Sequence, residues 1–105
     1  MLCIKQGVKP AHVINESGIY RTHGHQIFNG SRKPTRDKVV QLAFGFKMDL
    51  NETNDLLKWA KRSALYARVE RDSVIIHALM NKHKFQQVQE TLYEMGLPIL
   101  GDRDK

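Results

Sequence analysis

The chain of 105 residues contains one cysteine, Cys3. A single thiol excludes an internal disulfide framework and suits a reducing compartment, so a cytoplasmic setting is expected. No apolar run approaches the ~20 residues of a membrane span, and no signal-like apolar segment opens the chain, so no membrane partner is expected. The low hydrophobicity and high charge of a disordered chain are also missing, since hydrophobic residues make up 41%. Aromatics are scarce at 8% and form no platform for stacking unpaired RNA bases. No glycine-rich phosphate loop is present. His23 and His25 lie two apart, so on a helix they do not share a face and make a poor metal pair. His77 and His83 have no Cys or carboxylate cluster at ligand spacing. Cys3 sits in a short apolar opening and reads as a small core residue rather than a nucleophile. No enzyme activity, catalytic residue, metal or cofactor is therefore expected.

What is present is positive charge, confined to one half. Residues 1–48 carry eight Lys and Arg against Glu16 and Asp37, and residues 49–105 carry nine of each sign. The whole net charge of +6 thus lies in the first half, the footprint of a polyanion binder. Within that half, GIYRTHGHQIFNGSRKP spans Gly18 to Pro34. It reads as a short polar helix, Arg21 to Asn29, between two glycine turns. A preceding helix starts at Pro10, where a missing N–H costs nothing, and ends near Ser17. Gly18 supplies the turn, Ile19 and Ile27 face the core, Gly30 ends the second helix with positive φ, and Pro34 stops its continuation. Arg21, Thr22, His25 and Gln26 are expected on the outer side. Arg and Gln can pair bidentately with base edges, and Thr can contact either kind. Arg32 and Lys33 follow at once and suit flanking phosphates.

The stretch from Gly7 to Leu57 resembles the five-helix DNA-binding domain of phage repressors and their bacterial relatives, the Xre-type regulators. The resemblance covers about residues 2–60 and rests on Gly18, Ile27, the Gly30 to Pro34 spacing, and Leu42-Ala43 followed by Leu56-Leu57. It implies a helix-turn-helix whose second helix reads double-stranded DNA, with Arg21, Thr22 and Gln26 at base-reading positions, His25 as a fourth, and Asn29, Arg32 and Lys33 on the phosphate side. Lys9 and Arg36 complete the expected backbone contacts. Three departures are visible: Pro10 stands where relatives often carry Gln, Gly24 where many carry a branched apolar residue, and the opening Met1 to Gln6 is short for a first helix. Gly24 implies a close helix crossing, since glycine inside a helix costs about 0.5–1 kcal/mol.

The remainder reads as helix. Thr35 caps a helix carrying Val39, Leu42, Ala43 and Phe46. Asp49 and Glu52 form a capping pair for a helix with Thr53, Leu56, Leu57 and Ala60 on one face. Further helices are expected over 71–82, with Ile75, Ala78 and Leu79, and from Phe85 to Met95, with Val88 and Leu92. Trp59 and Phe85 are placed in or beside the core. An offset of 35 residues reveals a repeat: Arg36-Asp37-x-Val39 recurs as Arg71-Asp72-x-Val74, and Val40, Ala43, Phe44, Leu50, Leu57 and Leu65 recur as Ile75, Ala78, Leu79, Phe85, Leu92 and Leu100. The second copy is expected to stack on the first and extend its core. The expected fold is all-α: a helix-turn-helix region over 1–62, a helical hairpin over 63–100 packed on it, and a tail, 101–105. The expected function is sequence-specific transcriptional regulation as a homodimer on DNA. The competing class is an antitoxin or interaction module that uses the same fold on a protein partner.

Overall fold

A computed structural model describes residues 10–31 and 33–101. The expected first helix, Cys3, Lys9 and Arg32 lie outside the described residues. Those described form an all-α structure of six helices: α1 (Pro10–Ser17), α2 (Arg21–Phe28), α3 (Arg36–Gly45), α4 (Leu50–Trp59), α5 (Glu70–Met80) and α6 (Phe85–Glu94). Among them, no helix is long and apolar enough to cross a membrane.

The helix boundaries follow from local chemistry. Thr35 Oγ1 accepts the Lys38 N–H at 3.3 Å and starts α3. Asp49 Oδ1 accepts the Glu52 N–H at 2.8 Å, and Glu52 Oε1 accepts the Asp49 N–H at 3.0 Å, which gives α4 the reciprocal cap its sequence implies. Gln87 Oε1 accepts the Lys84 N–H at 2.8 Å at the head of α6. The helix α2 ends at Phe28, one residue before the expected Asn29, which serves as its C-cap. Gly30 follows with φ +85°. A Cβ there would meet nothing within 4 Å, so its requirement for glycine is one of backbone conformation alone.

The core has two parts that share α3. One gathers Val13, Ile14, Ile19, Ile27, Phe28, Leu42 and Phe46. The other runs from Val39, Val40 and Phe44 through Leu56 and Leu57 to Ile75, Leu79, Val88, Leu92 and Leu100. Leu42 and Phe46 thus face α1 and α2, while Val40 and Phe44 face the C-terminal helices. The helix α1 meets both α2 and α3 very closely. Gly24 is buried against α1, where an added Cβ would come within 2.6 Å of Ile14 Cγ1. A Cβ on Gly45 would collide with Ser17 Oγ and lie 2.5 Å from the Val13 carbonyl oxygen.

The 35-residue offset is realised bond for bond. Arg36 pairs both Nη atoms with Asp72, at 3.2 and 2.9 Å, and also donates to the carbonyls of Ser63 and Ala64. Arg71 pairs both Nη atoms with Asp37, at 3.0 and 2.9 Å, and donates to the carbonyls of Pro98 and Ile99. Asp72 also accepts the Tyr66 N–H, and Asp37 the Gly101 N–H, each at 3.0 Å. Asn54 Oδ1 accepts the Leu65 N–H, and Gln89 Oε1 the Leu100 N–H. The residues with positive φ repeat as well, Lys47 with Lys82 and Lys61 with Gly96. Each arginine reaches the other copy's aspartate, and α3 packs on α6 as α4 packs on α5. The hairpins α3/α4 and α5/α6 are therefore related by a local two-fold, not by the translation that stacking of solenoid repeats would give.

Two expectations are corrected. Trp59 is 61% exposed. The buried face of α4 is made by Thr53, Leu56 and Leu57, and at 3.6 residues per turn Trp59 lies about 120° round the helix from its centre. Its equivalent in the second copy is Glu94, also exposed. The fifth helix starts at Glu70 and ends at Met80, earlier than the expected 71–82, because Asn81 closes it as C-cap and Lys82 turns to φ 59°.

Candidate nucleic-acid interface

The turn between α1 and α2 is three residues long, 18–20, with Gly18 at φ +69°. A Cβ on Gly18 would collide with the Phe85 ring, so α6 supports this turn from below. One side of α2 buries Gly24, Ile27 and Phe28 against α1 and α3. The opposite side exposes Arg21, Thr22 and His25, with Gln26 half-buried beside them. This is the split that spacing of three and four on a helix requires.

The structure brings these four side chains onto one face, with Asn29 and Lys33 exposed just past the helix end. Asn29 Oδ1 accepts the Ser31 N–H at 2.9 Å and so fixes the turn that leads towards Lys33. Arg36 does not join this group. Its Nε and both Nη atoms donate inward, to Asp72 and to the Ser63 and Ala64 carbonyls, and a guanidinium so committed is a clamp between the two copies. Lys9 and Arg32 fall outside the described residues. Among the described residues, no three His, Cys, Asp or Glu side chains gather as a metal site would require. His77 and His83 meet edge to face, 5.9 Å between ring centres.

Sequence reasoning missed three residues next to this face. Tyr20, the residue before α2, is almost fully exposed. Lys38 and Gln41 on α3 line an open-sided groove that also touches Arg21, Thr22 and Gln26. Both are buried, Lys38 at 7% and Gln41 at 1% exposure. The signal that could have found them is the repeat: the second copy carries Ser73 and Ile76 at the equivalent positions, so the shared scaffold needs neither a lysine nor an amide there.

The electrostatics of the neighbouring clamp are directional. Burial pushes the Asp37 carboxyl up, but the hydrogen bonds from Arg71 and the Gly101 N–H and the charges of Arg71 and Arg36 outweigh it, leaving Asp37 below the usual carboxylate value of 3.8. No family model, curated protein or solved structure matches the chain.

Proposed function

We propose that this protein is a sequence-specific, double-stranded DNA-binding transcriptional regulator of the Xre type, with α1 and α2 as its helix-turn-helix. The observation that carries the reading is the division of α2. Its inner side is locked by Gly24, Ile27 and Phe28, and its outer side presents Arg21, Thr22, His25 and Gln26 together. A two-turn helix of that width fits the major groove. The net charge of +6 in the same half of the chain supports the reading. Arg21, Thr22, His25 and Gln26 read bases, and Asn29, Arg32, Lys33 and Lys9 hold the backbone. One short helix covers few base pairs, so the protein binds as a homodimer to an inverted repeat, half-site centres about 10 base pairs apart or a multiple of that.

The test is selection of binding sites from random duplexes, followed by variants. Arg21→Ala and Gln26→Ala should each cost about 1–3 kcal/mol at the selected site and relax the preference at one position. Lys33→Ala should weaken all duplexes alike and lower the salt slope by about one. If the two groups behave alike, α2 is not the reading helix. If no sequence is enriched while a partner protein co-purifies in fixed ratio, the protein is an interaction module.

A further inference from the structure

The groove between α2 and the head of α3 has a volume of about 800 Å³, within the range of small-molecule sites. Its floor is unusual. Lys38 is 7% exposed and lines the groove. Beside it, Gln41 donates from Nε2 to the Ser17 carbonyl at 3.0 Å, which turns its Oε1 away. That oxygen is buried and has no hydrogen-bond donor among the described residues. The two polar ends converge on Gly101, where an added Cβ would lie 2.9 Å from Gln41 Oε1 and 3.2 Å from Lys38 Nζ.

Buried polar groups are normally paired, and an unpaired acceptor such as Gln41 Oε1 costs free energy that folding does not recover. The scaffold does not impose this cost, because the second copy places Ser73 and Ile76 at the same positions. A ligand that satisfies both groups must offer an anionic oxygen to Lys38 and, next to it, an N–H or O–H to Gln41. A phosphate or phosphomonoester that keeps one proton offers both. Arg21 and Gln26 edge the same groove and supply further donors for the remaining oxygens.

We propose that the Lys38–Gln41 groove is a binding site for a small protonated oxyanion of the phosphate class. On the DNA-binding reading above it is an effector site, because its occupant lies against Arg21 and Gln26 and competes with DNA for them.

Binding is tested first without DNA. Inorganic phosphate is titrated into the full chain at constant ionic strength, followed by calorimetry and by the amide resonances of Gln89, Leu100 and Gly101. Sulfate, which carries no proton at neutral pH, is the matched control. Phosphate should saturate and exceed sulfate about tenfold, since sulfate leaves Gln41 Oε1 unpaired. Lys38→Met, checked for an intact melt, should weaken phosphate about tenfold or more. Equal binding of the two ions, or shifts spread over exposed lysines and unchanged in Lys38→Met, overturns the site. A groove that responds to Asp102→Asn and not to phosphate assigns Lys38 to the chain's own tail and overturns it too. The effector role has its own measurement, DNA affinity at saturating phosphate with ionic strength held. Affinity should fall in the parent chain and stay constant in Lys38→Met. An unchanged parent affinity overturns that role. So does a salt slope lowered by about one in Lys38→Met, which makes DNA phosphate the occupant.

Discussion

The hairpins α3/α4 and α5/α6 share a scaffold and differ in what they do with it. Their helix ends, positive-φ residues, buried apolar positions and arginine clamps correspond at a fixed offset. Yet the first copy faces α1 and α2 with Leu42, Phe46, Lys38 and Gln41, and the second has Ile76 and Ser73 where the first has Gln41 and Lys38. What the copies have in common is therefore structural. What they do not share marks where the first copy has been fitted to α1, α2 and the groove beside them.

The comparison breaks most easily by removing one side of it. Deleting residues 84–105 takes away Val88, Leu92 and Leu100 from the joint core, together with the carbonyls of Pro98 and Ile99 that Arg71 grips. The truncated chain should lose its cooperative melt and aggregate, because one hairpin cannot bury its own apolar face. A soluble truncation melting at the parent temperature would make the second copy a mere appendage.

Next in size are the clamps. Asp72→Ala leaves Arg36 without its carboxylate in a site where the Asp72 side chain is only 6% exposed, and should cost about 3–5 kcal/mol in chemical denaturation. Asp37 is 17% exposed, so Asp37→Ala should cost less, about 2 kcal/mol. Equal costs would show that burial does not separate the two copies.

Among the described residues, the hairpin α1/α2 shows no such arginine–aspartate clamp and relies on close approach. Gly24→Ala should destabilise by about 1–2 kcal/mol, because the clash with the buried Ile14 outweighs the better helix propensity of alanine. A stabilised variant would mean that α1 and α2 can move apart freely.

A smaller effect follows from protonation. The folded Asp37 has a lowered pKa, so its contribution is complete above the unfolded value of about 3.9 and is lost as pH falls through the lower folded value. Melting temperature should therefore drop on acidification below about pH 4, and Asp37→Asn should remove part of that drop. The smallest expected change is Trp59→Ala, within about 0.5 kcal/mol, since the ring lies largely outside the core.

The all-α class, the caps of α3 and α4, the turn glycines and the apolar face of each helix were legible because each depends on residues close together in sequence. The repeat was legible as Arg-Asp at two places. Its two-fold form was not, because nothing in the chain says that Arg36 reaches Asp72 instead of its neighbour Asp37. Arg36 looked like an exposed cation for the same reason, being basic and adjacent to Lys33 and Pro34. Lys38 and Gln41 escaped notice because their neighbours are Ser17, Leu100 and Gly101, residues remote in sequence. Trp59 was misjudged by residue type, where its position on α4 decides.

The bond from the Gly101 N–H to Asp37 spans 64 residues. On the ribosome, α3 emerges long before its partners do. Asp37 then has neither Arg71 nor Gly101, and Arg36 has no Asp72. The early half of the chain waits, with the Val40 and Phe44 side of α3 open, until the segment through Gly101 has been made. A chain halted before α5 thus lacks both clamps and presents an open apolar face that quality control can recognise. Synthesis through Gly101 becomes a condition of a closed core.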